Sequence, residues 1–242
     1  MKNTSSATVG ACVAEDYRAA SVFQKYGIDF CCKGGTTIAK ACADRNIDPD
    51  QLQAELLQAT EQKQSEAIQF SQWPADLLAD YIEKKHHRYV VQSIPVIMQF
   101  LEKLCRVHGG RHPELFKVEE AFAASAADLQ QHMKKEEQIL FPFIRQMVQR
   151  RDQGLPPVQP PFGSVDNPVR MMMQEHDTEG ERFRQIARWT DNYQAPVDGC
   201  TTYRVAYAML QEFEADLHLH IHLENNILFP KALGMEKGVQ VL

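Results

Sequence analysis

The feature that most limits what this chain can fold into is a repeat. Residues 127–142, A-D-L-Q-Q-H-M-K-K-E-E-Q-I-L-F-P, align without a gap with residues 215–230, A-D-L-H-L-H-I-H-L-E-N-N-I-L-F-P. The shared pattern is A-D-L-x-x-H-x-x-x-E-x-x-I-L-F-P, displaced by 88 positions throughout (132 to 220). In each copy a histidine precedes a glutamate by four residues: His132 with Glu136, and His220 with Glu224. On an α-helix such a pair projects from one face about one turn, ~5.4 Å, apart. Leu129, Ile139 and Leu140 share the stripe in the first copy, and Leu217, Ile227 and Leu228 in the second. Each polar pair therefore belongs to a core-facing seam. One histidine and one glutamate at this spacing are ordinarily a solvated couple. Two matching pairs on apolar stripes are different, because buried ionisable groups are costly unless something neutralises them, and a metal ion does so.

The repeat sits in the second and fourth of four long helical segments, read as Pro74–His108, Pro113–Arg150, Val165–Tyr193 and Thr201–Leu233. Breaks fall at His108–Arg111, along the proline-rich stretch Gly154–Gly163, and around Pro196–Gly199. Pro74 suits a first helical turn, while Pro95 is expected to kink the first helix. Almost nothing favours strands. The expected fold is all-α: a small helical N-terminal domain over residues 1–66, then an antiparallel four-helix bundle over 67–242, built from two similar hairpins. In the N-terminal part, Val9–Tyr26 has helical spacing stopped by Gly27, and two short helices are expected either side of Asp48–Pro49. The polar run Glu61–Glu66 reads as a linker or a fraying helix end.

The other two bundle helices each offer a histidine. His176 lies on a stripe of Val169, Met172, Met173, Gly180, Phe183 and Ala187. Standing alone it would be a hydrogen-bonded core histidine. On the first helix His87 leads a stripe of Val91, Ile94, Met98, Leu101 and Cys105, but His86 is adjacent and periodicity separates the two only weakly. Four histidines and two glutamates suit two metal ions, each taking two imidazoles, with the carboxylates and an oxo or hydroxo group bridging. Imidazole plus carboxylate in a bundle core favours iron, with manganese or zinc as alternatives, and the lack of thiols argues against structural zinc. Asp128 and Asp216, one turn before each motif histidine, are candidate acceptors for an imidazole N–H, or else surface aspartates. Glu175 beside His176 has the same two readings. His218 and His222 flank His220, but alternate residues do not share a helix face, so both read as peripheral.

Composition narrows the class. Net charge is −6 with no basic cluster, against a nucleic-acid partner. No apolar run approaches the ~20 residues a membrane span needs. The start, Met1–Ser6, has no apolar segment behind Lys2, so no export signal is expected. The six cysteines then read as reduced thiols of a soluble, cytoplasmic protein. Cys12, Cys42, Cys105 and Cys200 are assigned to the core. Cys31 and Cys32 are adjacent, beside Lys33 and two glycines. A neighbouring cation and a mobile loop raise thiolate character, which suits thiol exchange, electron delivery or capture of iron; the other reading is two small buried residues.

These motifs resemble the hemerythrin-like domain: H-x-x-x-E followed by I-L-F-P on two helices, with single histidines on the others. Oxygen-carrying hemerythrins use more histidines and pair one glutamate with an aspartate bridge. Here both motifs end in glutamate, which turns the expectation away from oxygen carriage. The N-terminal residues Glu15-Asp16-Tyr17-Arg18-Ala19-Ala20 and Gly27-Ile28-Asp29-Phe30-Cys31-Cys32 resemble the short domain that precedes the hemerythrin-like domain in the repair-of-iron-centres (RIC) family. The resemblance implies a cytoplasmic di-iron protein, induced by nitric oxide or peroxide stress, that helps restore damaged iron–sulfur clusters. It implies His87, His132, Glu136, His176, His220 and Glu224 as the iron ligands, and it is what selects His87 over His86. Expected partners are nitric oxide or another small diatomic and damaged iron–sulfur proteins, with the chain a monomer or homodimer. A ferrous pair has two electrons to give, so reduction of two NO to nitrous oxide is one expected activity and release of iron to an acceptor another. A non-catalytic NO or O2 sensor or reservoir, and a ferritin-like oxidase, are the alternatives.

Overall fold

The computed structural model describes residues 7–61 and 68–238. The residues from Gln62 to Glu66, and the domain boundary expected after them, lie outside the described residues. Among the described residues there is no strand, only an isolated bridge between Thr8 and Thr37. No helix is long and apolar enough to cross a membrane. The chain packs as two units. One comprises Met1–Ala79, Ile144–Asp166 and His218–Leu242, and the other Asp80–Phe143 and Asn167–Leu217.

In the first of these units, the stretch expected as a single helix over Val9–Tyr26 is two helices, α1 (Val9–Glu15) and α2 (Ala19–Lys25). The break has a local cause. The Asp16 carboxylate accepts from the backbone N–H of Arg18 at 3.0 Å and holds the Arg18 guanidinium at 2.6 Å, drawing the backbone out of the helical ladder. Arg18 also donates to the carbonyl of Thr60 at 2.7 Å. Gly27 ends the region with φ +63°. Helices α3 (Ile38–Arg45) and α4 (Pro49–Glu61) follow as expected, α3 capped by the Thr37 hydroxyl and ended by Asn46 in the left-handed region. Val9, Phe23, Leu52 and Leu56 are among the buried apolar residues of this segment.

The four long helical segments lie close to their expected spans. The first is α5 (Ala75–Tyr81), a π-helical turn Ile82–His87, and α6 (Arg88–His108). Pro95 does not end α6; Val91, whose carbonyl loses its usual donor, is 57% exposed and open to water. The second is α7 (Glu114–Lys135), a π-turn Glu136–Leu140, and α8 (Phe141–Asp152). The third, α9 (Asp166–Trp189), stops short of Tyr193 because Asp191, Asn192 and Tyr193 all have positive φ. The fourth is α10 (Thr201–Leu223), a π-turn Glu224–Leu228, and α11 (Phe229–Glu236). In the unit containing residues 80–143, α6 and α7 form a hairpin across Gly109–Pro113. Phe122, Phe183 and Phe213 join α7, α9 and α10, with Phe183 and Phe213 stacked at 5.7 Å and Phe122 edge-on to Phe213 at 5.2 Å. Each ring is fully buried, a contribution of about 1.5–3 kcal/mol apiece from area alone.

Cys200, expected in the core, is exposed. It stands immediately before α10, with its sulfur 3.4 Å from His108 Nε2. The hydrogen bond to His108, followed by the backbone N–H groups of Tyr203 and Thr202, brings its thiol down to about 7. Burial instead pushes the thiols of Cys12 and Cys105 up, to about 11 and about 12. Alkylation mapped by mass spectrometry is therefore predicted to label Cys200 first, with a half-maximal rate near pH 7. The midpoint should rise in His108→Gln; a wild-type midpoint near 9 contradicts the pairing. Glu214, 8% exposed, is held protonated by burial, its carboxyl raised to about 7. Its folded value lies above its unfolded one, so the stability it contributes at low pH is lost as pH rises through 7. Glu214→Gln should gain about 2–3 kcal/mol over the wild type in urea unfolding at pH 8, and little at pH 4.

Candidate metal centre

The helices change geometry where the motif residues stand. Phe141 N–H bonds back to the carbonyl of Glu136, five residues earlier, and Phe229 N–H bonds back to Glu224 in the same way. Pro142 and Pro230 follow at once and have no N–H to restore the α-ladder. His87 closes the third π-turn. Such turns are rare in helices and concentrate at functional positions, because each offsets the side chains that follow it. Continuous α-helices were expected here. The twice-repeated Phe-Pro was the sequence signal for the two turns that begin at glutamate.

In the unit containing α6, α7 and α9, Glu136 has no accessible surface. Its two oxygens lie 3.4 Å from His87 Nε2 and 3.4 Å from His132 Nε2. His176 Nε2 is 3.1 Å from His132 Nε2. One ligand atom from each of His132, Glu136 and His176 falls within 4.8 Å of the other two. In the unit that begins α10's last turns at His218, His220 Nε2 stands 3.1 Å from Glu224 Oε1, both residues buried.

The outer nitrogens define what the inner ones present. His132 Nδ1 is 2.7 Å from Glu175 Oε2, and Glu175 also takes the ammonium of Lys135. The hydrogen bond from His132, then that from Lys135, lowers the Glu175 carboxyl to about 2. His87 Nδ1 is 2.8 Å from Glu137 Oε1, and its ring stacks on Phe141 at 5.7 Å. A carboxylate at Nδ1 fixes the proton there, so Nε2 of each ring carries a lone pair turned towards Glu136. Lone pairs facing a carboxylate, and His132 and His176 facing each other, repel unless a proton or a cation lies among them. The donor set of buried imidazole and carboxylate, without thiolate, fits iron. A cleft of about 250 Å³, lined by residues including Lys135 and Glu175, reaches His132 and His176.

Of the three carboxylates expected behind the histidines, only Glu175 stands against one of them. Asp128 is 63% exposed and pairs with Arg182 at 2.7 Å, an acceptor diverted by a long cation from the neighbouring helix. Asp216 Oδ2 lies 3.0 Å from Nδ1 of the buried His86. Glu137 was missed, although it directly follows the motif glutamate. The flanking histidines His218 and His222 face another way: both meet the edge of Phe30, at 6.1 and 5.8 Å. His222 Nδ1 accepts from Asn226 at 3.1 Å.

Asn225 and Asn226 tie the cysteine loop to the π-turn after Glu224. Asn225 Nδ2 donates to the carbonyl of Cys31 at 3.3 Å, and Asn226 Nδ2 to those of Phe30 and Cys31 at 3.3 and 3.2 Å. Gly10 and Gly34 cradle Asn226: a Cβ on either would stand 2.5 Å from its Oδ1 and 3.0 Å from the other glycine's Cα. Within the loop, Asp29 Oδ1 accepts from the backbone N–H of Cys32 at 2.9 Å and of Lys33 at 3.3 Å, and from the Cys31 thiol at 3.3 Å. The two sulfurs are 3.6 Å apart as free thiols. The expectation that Lys33 activates both cysteines needs correction at Cys31. That residue is 3% exposed, and its hydrogen bond with Cys32, together with burial, raises its thiol well above the ordinary range.

Two family models match the chain. The hemerythrin HHE cation-binding domain matches residues 78–232, and ScdA_N, a domain of unknown function (DUF542), matches residues 5–60. The iron–sulfur cluster repair protein YtfE of Musicola paradisiaca (strain Ech703) is 35% identical over 222 residues, 90% of this chain and 92% of the relative. YtfE proteins of Yersinia pseudotuberculosis (serotype O:1b, strain IP 31758) and Yersinia pestis (strain Pestoides F) are each 34% identical over 229 residues, 95% of this chain and 97% of theirs. The chain belongs to the family of YtfE-type iron–sulfur cluster repair proteins, in which an ScdA-type N-terminal domain precedes a hemerythrin-like cation-binding domain.

Proposed function

We propose that His87, His132, Glu136, His176, His220 and Glu224 together hold two iron ions, bridged by the two carboxylates and an oxo or hydroxo group. The chain uses them, in the cytoplasm, to repair iron–sulfur clusters damaged by nitrosative and oxidative stress. The observation that supports this reading most is the convergence of His132, His176 and Glu136 in a buried space, with Glu175 and Glu137 fixing the outer nitrogens of His132 and His87. Iron held there would supply the two electrons that, with two protons, turn two NO into nitrous oxide and water, or would supply iron to an acceptor cluster. The protein's part is to keep Nε2 of His87 and His132 unprotonated, to exclude bulk water from Glu136 and Glu224, and to admit a diatomic through the cleft beside His132. Cys31 and Cys32, docked beside the turn that starts at Glu224, serve transfer of electrons or iron. The burial of the Cys31 thiol favours a second reading, in which NO or O2 is held without turnover.

Metal analysis tests the ligand set. Glu136→Ala and Glu224→Ala are each expected to reduce bound iron substantially, and near two irons per chain in either variant would count against bridging. Glu175→Gln and Glu137→Gln should weaken iron binding about 10- to 100-fold while leaving the fold unchanged by circular dichroism. For the activity, anaerobic single turnover of the reduced protein with NO is decisive. One nitrous oxide per two NO supports reduction, NO retained without gas release supports the sensor, and delivery of iron to an apo-cluster protein supports donation. Cys31→Ser with Cys32→Ser is expected to keep the iron and impair only reduction or transfer; a variant that arrives empty of iron removes the separation of roles.

A further inference from the structure

A second feature lies outside everything so far assigned. In the unit that contains the cysteine loop, a cleft of about 510 Å³ is bounded by the start of α5, the end of α8 with the turn after it, and α11. That volume is in the range of small-molecule sites. Trp73, Met147 and Met235 give it an apolar floor, and Arg150, Arg151 and Lys231 give it three cations. A chain of net charge −6 that gathers three cations at one cavity has built a local field opposite to its overall one.

The partners of these cations show how little of that charge is answered. Arg150 donates through Nε to the carbonyl of Pro156 at 2.8 Å, a neutral acceptor that fixes the wall of the cavity. Arg151 reaches Met235 Sδ at 3.8 Å and its adjacent Asp152 at 2.9 Å, the latter an exposed pair of little worth. Among the described residues no ion pair is recorded for Lys231. Burial and the Arg151 cation both work against its charge. Among the described residues the one acid in the lining is Glu236, which accepts from the Ser164 hydroxyl at 3.0 Å and from the backbone N–H of Val165 at 2.9 Å, ahead of α9. Like charges thus line an apolar cavity whose one carboxylate, among the described residues, accepts from Ser164 and Val165.

We propose that this cavity binds a small organic anion, with a flat apolar body against Trp73 and the two methionines and an acid group between Arg151 and Lys231. The apolar floor provides the larger part of the contact and thioethers adapt to an aromatic ring. The anion relieves the repulsion between the two cations, so the charged group selects the ligand and the ring holds it. An anion without an apolar body leaves the floor uncovered, and a neutral aromatic leaves the cations unanswered. This assignment is independent of the iron site, since none of these residues is among the proposed ligands.

The test uses the full iron-loaded chain and two probes of nearly the same shape: anilinonaphthalene sulfonate, an aromatic anion, and N-phenylnaphthylamine, its neutral counterpart. The sulfonate is expected to bind once per chain, with energy transfer from tryptophan that falls in Trp73→Phe to what Trp189 alone supplies. Lys231→Gln and Arg151→Gln, both at partly or fully exposed positions, should each weaken it roughly tenfold, the worth of one charge-assisted hydrogen bond. The neutral probe should bind more weakly and be indifferent to both variants. Sulfonate binding unchanged in both charge variants, a neutral probe that binds as tightly, or energy transfer undiminished in Trp73→Phe would each overturn the assignment.

Discussion

Two glutamates with no accessible surface, Glu136 and Glu224, set the terms for the rest of the chain. An ionised carboxylate in a helical interior costs several kcal/mol of lost hydration, and only positive charge or hydrogen-bond donors offset it. The chain surrounds them with imidazoles, which answer the cost only with a proton or a cation held among them. His132 and His220 each stand one helical turn before a glutamate, and His87 reaches Glu136 from another helix. Imidazole serves here because it is compact, neutral at ordinary pH and able to turn a lone pair inward once its other nitrogen is bonded. A lysine or arginine would neutralise the carboxylate permanently and leave nothing for a metal to do.

The two copies of the motif share this inner chemistry and differ in what stands behind it. In the first, the residue after the glutamate is Glu137, which faces Nδ1 of His87. In the second it is Asn225, which with Asn226 holds the backbone of the cysteine loop. Ile139 is 49% exposed while its counterpart Ile227 is 4% exposed, because α1 packs against the second π-turn. A duplicated hairpin has therefore diverged on its outer face: one copy positions a histidine, the other docks a domain.

Much of this was legible in the residues. Helical periodicity and the repeat located the long helices to within a few positions and placed His132, Glu136, His220 and Glu224 on inward stripes. What periodicity does not carry is the identity of a partner on another helix. Asp128 and Asp216 stand in equivalent places, yet one meets Arg182 and the other His86, choices made by long side chains that reach across helices. The break at Asp16 is a contest between a side-chain and a backbone acceptor, which spacing alone does not decide. Cys200 counts as apolar in any pattern, but it precedes a helix start, where the backbone turns outward. The π-turns shift the register by one residue, so Ile139 leaves the stripe on which an unbroken helix would have kept it.

The seat of Asn226 between Gly10 and Gly34 has a consequence for how such a chain can change. A methyl group on either glycine would collide with the same amide oxygen and with the opposing backbone. The three positions are thus one unit of variation, spread over 216 residues of sequence from Gly10 to Asn226. Neither glycine accepts a side chain while the asparagine keeps its place, and a change at the asparagine releases the carbonyls of Phe30 and Cys31. A thiol loop and a helix turn held in this way drift together or not at all, and a graft of either onto a foreign partner would have to carry all three residues with it.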